Sequence, residues 1–412
     1  MFKSYQIPLP ARGVDVLSKE TALPKGAVRA AKNVDISRDG SFDRRQGYTL
    51  RLAAGGMHSL FSAVQKGWLL GMQGNVLNRV DPDTYALTQL YTMASTAPVE
   101  YVEYNGNIYF SSVDSIGWIP SDSSAARALG VPAPNVPTLS AGNGTLAPGE
   151  YAVVVTMTDD RGEQGAATEV RTINLLNGGG ITLSGLPTSG TEVNIFITTA
   201  DGDVLRRAAV IPAVFASYTV TNDATGPICT TQFMEPMPPG RFVRWHNGRL
   251  YTARGGEMHF SEPFYPGLCS SAHGAKPLSG FASMLEAVVG GIFVGDSRGV
   301  WFLDGGDPSD AKLRLASPVR AVPGTSITVP PGFLGGEDFR DGAHALWLST
   351  AGYMIGTPAG SVVEPQADKM RVPLGLQGRS ALLQRDGRKQ VVTPVNSAAT
   401  TAFGAVVDSP TL

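Results

Sequence analysis

Short apolar runs divided by a glycine-bearing turn recur along the chain. They read most plainly in Leu250–Phe260 (LYTARGGEMHF), Ile292–Leu303 (IFVGDSRGVWFL) and Leu346–Ile355 (LWLSTAGYMI). Weaker copies begin at Trp68 (WLLGMQGNVLNRV), Ile108 (IYFSSVDSIGWI) and Leu382 (LLQRDGRKQVV). Runs of this length, rich in β-branched and aromatic residues and split by Gly, Asn or Asp, predict β-hairpins. Helices would need a longer 3.6-residue rhythm, which the chain lacks.

Successive copies start 40, 142, 42, 54 and 36 residues apart. Setting aside residues 135–235, a stretch of 101, reduces the long step to 41 and brings it into line. A period near about forty with mostly β content predicts a β-propeller of about six blades, because one four-stranded blade cannot bury both faces without neighbours. An ordinary β-sandwich with evenly spaced hairpins would give the same spacing.

The segment set aside has Pro-rich borders, VPAPNVP at 131–137 and PMPPG at 236–240. Fixed φ and missing N–H donors make such stretches poor sheet members and good linkers. Between them Tyr151, Val153, Val155 and Met157 alternate with other residues, and DDRGEQG follows as a turn. Further strands are predicted at Glu169–Leu175, Ile181–Leu186, Glu192–Thr199, Val204–Ile211 and Ser217–Thr221. That density of short strands matches an immunoglobulin- or fibronectin-type β-sandwich, without the Cys-Trp-Cys core. The expected organisation is all-β: a propeller in two parts, 1–134 and 236–412, with the sandwich inserted at 135–235.

At 412 residues the chain exceeds a usual single core, which fits either two domains or a repeat architecture. With 49 Gly and 29 Pro it favours turns and short strands. Its 33 basic and 35 acidic residues nearly balance, so the overall charge makes no case for tight nucleic-acid or anionic-membrane binding. No signal-like or bilayer-length apolar stretch occurs, and the expectation is folding in a cytosol. Cys229 and Cys269 are too few for a disulfide framework and are expected as reduced, partly buried thiols.

Several constellations have the residue types of a chemical site. Gly295, Ser297 and Gly299 spell G-x-S-x-G, but Val300–Leu303 reads as a strand where a nucleophile elbow needs a helix, so a hairpin turn is expected. His58, His246, His259, His273 and His344 lack zinc-binding spacing. Asp304, Asp307 and Asp310 have oxygen donors for calcium without the EF-hand order, and read as a solvated turn. Asp159 and Asp160 read the same way against a paired-carboxylate glycosidase. Ser37–Phe42 only approximates a sialidase-type Asp box, with its Gly misplaced. Asn143-Gly144-Thr145 is a sequon that matters only on secretion, and Gly178–Gly180 lacks the helix and lysine of a phosphate loop. No catalytic, cofactor-binding or metal-binding residue is assigned. Trp301 and Trp347 are expected as core anchors. The Arg44-Arg45 pair could dock on an acidic neighbour with forked hydrogen bonds, or simply divide between solvent and a turn.

Two stretches carry a family resemblance. AAKNVDISRDGSFDRRQGYTLRL near the start resembles the opening of tail nozzle and packaged-DNA stabilisation proteins of short-tailed phages, and HNGRLYTARGGEMHFSEPFYPG (246–267) is similar to their blade wording. The inserted segment, with GEYAVVVTMTDDRGEQGAATE, SGLP and VNIFITTADGD, resembles sandwich domains carried by many phage virion proteins. The resemblance implies a structural, non-enzymatic protein with no cofactor. In it, copies form a homo-oligomeric ring, sixfold in that family, on the tail axis beneath portal and adaptor. The ring helps to retain packaged DNA and then release it, so contact with genomic DNA is passing and no membrane anchor is expected. The implied location is the virion tail, assembled in the host bacterial cytoplasm. The alternatives are a baseplate or fibre-attachment protein that contacts host-surface sugars or another tail protein, and a propeller enzyme acting on polysaccharide.

Overall fold

The computed structural model describes residues 12–36, 41–45, 47, 49–53, 55–335, 337–366, 368–385, 388–400 and 406–408. Within them the chain is all-β, built from many small antiparallel sheets. The described residues hold only two short 3-10 turns, Glu20–Ala22 and Glu337–Phe339, and no helix long and apolar enough to cross a membrane.

Outside residues 138–220, five four-stranded antiparallel sheets follow one another among the described residues, at 57–92, 100–128, 242–277, 284–317 and 327–363. In each the strands pair in the order in which the chain runs. Five of the six predicted hairpins are the two middle strands of these sheets. The sixth, Ala381–Arg385 with Arg388–Val392, pairs as a two-stranded sheet next in sequence to Leu376–Gly378, which pairs with Val395–Thr400. Residues 376–400 are called the sixth unit below.

The middle strands read as unbroken apolar runs because both of their faces are covered, and alternate side chains enter different cores. On Gly291–Gly295, Ile292 and Val294 pack with Tyr251, Met258 and Phe260 of the third sheet, whereas Phe293 packs with Trp347 and Met354 of the fifth. On Asn107–Ser111, Ile108 and Phe110 join Leu70, Met72 and Leu77 of the first sheet, and Tyr109 joins Val243 and Leu250 of the third. On His344–Ser349, Ala345 and Trp347 face the fourth sheet, and Leu346 belongs with Val329 and Phe333 to a core against which Leu382 and Val391 of the sixth unit pack. Each sheet is thus clamped face to face on the next, from the first to the sixth. Among the described residues no apolar cluster joins the sixth unit back to the first sheet.

The stretch 246–267 is one folded unit. Asn247 and Gly248 take φ of 45° and 74°, the two positive values that a tight hairpin turn needs. Phe264 then lies over that turn, so a Cβ on Gly248 would come within 2.9 Å of its ring. Ser261 is fully buried, and its Oγ accepts the Leu250 N–H at 2.9 Å, which ties the returning loop to the hairpin.

Residues 138–220 form two further sheets. One has Thr138–Leu146, Gly179–Ser184 and Ser217–Val220, and the other has Arg171–Leu175, Gly149–Thr158, Glu192–Ile197 and Arg206–Pro212. They share one core, with Leu146, Ile181, Leu183 and Val220 from the first meeting Tyr151, Val153, Val155, Val193, Ile195 and Ile197 from the second. Val154 and Phe196 on the opposite face pack with Leu205 and Cys229, which explains why VVVTM is apolar without a break. The strand Thr138–Leu146 was not anticipated. Its Gly142 and Gly144 carry no apolar signal, yet a Cβ on Gly144 would lie 2.5 Å from the Gly179 carbonyl oxygen, so the two backbones approach too closely for any side chain.

Two crossed ion pairs hold these sheets to the second four-stranded sheet. Arg127 donates to both oxygens of Asp160 at 2.7 and 3.3 Å, and Arg161 donates to Asp122 at 3.0 Å.

Candidate functional site

The first strands of the second, third and fourth sheets lie side by side, and each carries a charged residue that is buried among apolar neighbours. Arg244 sits in FVRWH and Glu286 in MLEAV, both at the middle of a first strand, while Glu100 opens its own. Arg244 has the same facing as Phe242, towards the fourth sheet, where its Nε and Nη2 donate to Glu286 at 3.0 and 2.8 Å. Its Nη1 turns to Glu100 at 2.6 Å. Arg379 of the sixth unit donates to the other oxygen of Glu100 and, at 2.9 Å, to the Val99 carbonyl. Thr328, on the first strand of the fifth sheet, donates to Glu286. Four successive sheets and the sixth unit therefore meet in one network of two guanidiniums and two carboxylates, buried except at Arg379.

Burial by itself would raise the Glu100 carboxyl, but Arg379 and Arg244 outweigh it and hold the group below its usual range. Burial likewise opposes the charge on Arg244, and Glu286 and Glu100 together overcome it and push the guanidinium up. The formal charges of the two guanidiniums and two carboxylates sum to zero.

A cavity of about 330 Å³ opens on one end of the stack, where the links between sheets enter the first strands. Its lining includes Arg241 before the third sheet, Phe281 and Ser283 before the fourth, Arg320 before the fifth and Leu374 before the sixth unit. Asp296 also reaches it, from the turn between the second and third strands of the fourth sheet.

The residues tested on sequence grounds fall elsewhere or serve their own turns. Asp296, the fully buried residue inside the G-x-S-x-G stretch, accepts N–H bonds from Arg298, Gly299 and Ser279, and a strand follows directly. Ser297 is not hydrogen-bonded to a histidine or carboxylate among the described residues. Asp159 accepts from the N–H groups of Arg161 and Glu163 as a turn cap, and Asp160 is engaged by Arg127. Asp307 caps its own loop through Ser309, and Asp304 pairs with Arg314 at 3.7 Å. The histidines are scattered: His58 bridges Ser59 and the Gly74 carbonyl, while His246 and His344 are buried on different sheets. Among the described residues no group of three His, Cys, Asp or Glu could hold a metal ion. Arg45 pairs with Asp35 at 3.5 Å across its hairpin. Residues 1–11 and 37–40, the latter including most of the approximate Asp box, lie outside the described residues, as do Gln46 and Tyr48.

Both cysteines are free and buried, and burial raises both thiols, Cys269 to about 11. Native protein at pH 8 is accordingly expected to react slowly with a disulfide reagent, and protein in denaturant to release two equivalents rapidly; fast reaction of both thiols in the native state would contradict this burial.

The network charges escaped sequence inspection, although a signal existed: a lone charged residue inside an apolar strand must find a partner or stay out of the core. The cavity gave no such signal, because its lining is gathered from links more than a hundred residues apart.

No family model matches the sequence, and no curated protein matches it. Solved structures with some likeness include the extracellular domain of a putative hybrid two-component system from B. thetaiotaomicron, at 9% identity over 74% of this chain and 34% of that one, TM-score 0.28. Others are the N-terminal domain of Nup159, at 10% identity over 80% and 71%, TM-score 0.29, and Sqt1 of Saccharomyces cerevisiae, at 11% over 71% and 81%, TM-score 0.24. The chain spans about a third of the length of the first of these.

Proposed function

We propose that the chain is a six-bladed β-propeller with an inserted immunoglobulin-type sandwich, and that it serves as a structural, non-enzymatic component of a phage tail nozzle or hub. The observation that carries this reading is the run of face-to-face cores that clamps each of five successive sheets, and then the sixth unit, to the one before. Such a run is what blades around an axis require, and the buried Arg244–Glu100–Glu286 network lies where inner strands would converge. Short outer strands and two-sided cores make a stiff body that resists aggregation, a property suited to a ring that bears pressurised DNA. The resemblance of residues 246–267 to tail blade wording points the same way. A near-neutral net charge suits a lumen that must release DNA without gripping phosphates.

The test is particle analysis. Purified virions from cells expressing the gene are expected to contain the protein by mass spectrometry, with density on the tail axis below the portal by electron microscopy. Its absence from purified particles, despite abundance in the lysate, would refute the proposal, and density at the fibre bases would favour the attachment reading.

A further inference from the structure

The unit 138–220 meets the rest of the chain through charge and not through a shared core. Among the described residues no buried apolar cluster takes side chains from both its two sheets and the other sheets. The ion pairs across the seam come from one turn, 159–163: Asp160 pairs with Arg127, and Arg161 pairs with Asp122 while lying over the Trp118 ring, 5.5 Å from its centroid. The Asp160 and Asp122 side chains are 68% and 62% exposed, and ion pairs in such surroundings hold weakly. Glu163, in the same turn, is half-buried near Gly267, and burial with Asp159 pushes its carboxyl up, so the closed seam disfavours a charge that water would accept.

Both links pass from one body to the other at a single residue with left-handed backbone. Leu129 donates to the Ile116 carbonyl of the second sheet, and Val131 already packs on Gly165 of the 138–220 unit; between them Gly130 takes φ of 74°. On the return, the Thr231 carbonyl accepts the Ala167 N–H of the unit at 3.2 Å, whereas the Phe233 carbonyl accepts the N–H and Oγ of Ser271 in the third sheet's loop. Thr231 also accepts the Met234 N–H at 3.4 Å, closing a tight turn whose third residue, Phe233, takes φ of 60°, a place usually filled by glycine. An exposed aromatic residue held there is strained backbone at the point of crossing. The two crossings rest on the same loop, Gly130 against Gly267 and Phe233 against Ser271, and so lie on one axis.

We infer that the 138–220 unit is a hinged arm, which swings about Gly130 and Phe233 and is latched against the second sheet by the turn 159–163. A contact between two bodies that lacks an apolar core leaves relative motion as the default. Opening breaks two exposed ion pairs and uncovers the Trp118 face, and it leaves the cores on either side intact. The inference stands whether or not the protein sits in a tail, because every group it uses comes from one chain.

The experiment is pulsed electron paramagnetic resonance on the full chain with nitroxides at Leu176→Cys, in a loop of the arm, and Val64→Cys, in a turn of the first sheet; the two positions are 81% and 83% exposed. Labelling under native conditions uses the slow reaction of buried Cys229 and Cys269. The parent at low salt is expected to show one dominant distance and a minor second one. Arg127→Gln/Arg161→Gln should raise the ratio of the second to the first by about tenfold, with melting close to that of the parent. Going from 0.1 to about 1 M NaCl should move the parent the same way by a smaller step. Arg314→Gln/Arg340→Gln, which removes two surface ion pairs away from the seam, should leave the distances unchanged. Small-angle X-ray scattering of unlabelled protein should show a larger maximum dimension in the seam variant alone. A single narrow distance in both parent and seam variant at high salt, or equal opening in the control variant, would overturn the hinge and latch.

Discussion

Replacing Arg244 with Met is expected to lower the unfolding free energy by about 3–5 kcal/mol, because it strips a buried carboxylate of its guanidinium. Glu286 is 1% exposed and, among the described residues, would keep only Thr328 as a side-chain partner, while Glu100 would keep Arg379. Most of that loss is the penalty of a stranded charge, so the double variant Arg244→Met/Glu286→Leu should recover much of it, leaving the Glu100–Arg379 pair to stand alone. Urea unfolding at pH 7 of the parent, single and double variants measures this, and a double variant no better than the single one would mean that geometry, and not charge, fixes the first strands. The network also sets an acid limit. The folded Glu100 carboxyl lies below its ordinary value of 4.5, so between the two values the unfolded chain binds the extra proton. Its contribution is complete above that ordinary value and is lost as pH falls from there through the folded value. In Arg244→Met the folded carboxyl moves up, and the acid slope of stability should flatten.

How much of this was legible in the sequence follows from burial. The hairpins at 249–260, 291–304 and 344–356 stood out because their strands are covered on both sides and so are written in nearly unbroken apolar letters. Three of the five outer strands, Arg127–Ala128, Ala275–Pro277 and Val362–Val363, are two or three residues long and largely solvated, and carry no pattern to read. First strands are apolar enough to notice but are broken by the charges they bury. The predicted strands within 149–220 reappear within a few residues of their expected limits, whereas Thr138–Leu146 did not register, because its glycines serve backbone approach and not burial. The cavity depends on which links meet, and that is decided by the order of sheets around one another, information no single window of sequence contains.

The two tryptophans expected as equal anchors are separated by the structure, and their truncation should separate them as well. Trp347 is completely buried between the fourth and fifth sheets, with its ring 5.6 Å from that of Phe293 and in one core with Met284, Phe302 and Met354. Trp301, on the third strand of the fourth sheet, is only half-buried and belongs to none of the buried cores; its neighbour on the outer strand, Leu315, is exposed, although Val294 on its other side is in the core. Trp347→Ala is therefore expected to cost about 3–5 kcal/mol through lost transfer energy and an unfilled cavity between sheets. Trp301→Ala should cost roughly 1–2 kcal/mol, the range of a partly solvated side chain. Because Trp347 and Phe293 come from adjacent sheets and fill one contact, the pair of Ala variants should be clearly non-additive, the second truncation costing less once the first has opened the seam. Denaturant midpoints of the four proteins decide it. Additive losses, or equal losses at Trp301 and Trp347, would mean that the fourth and fifth sheets do not depend on one another, and the rigid stack on which the structural role rests would lose its central joint.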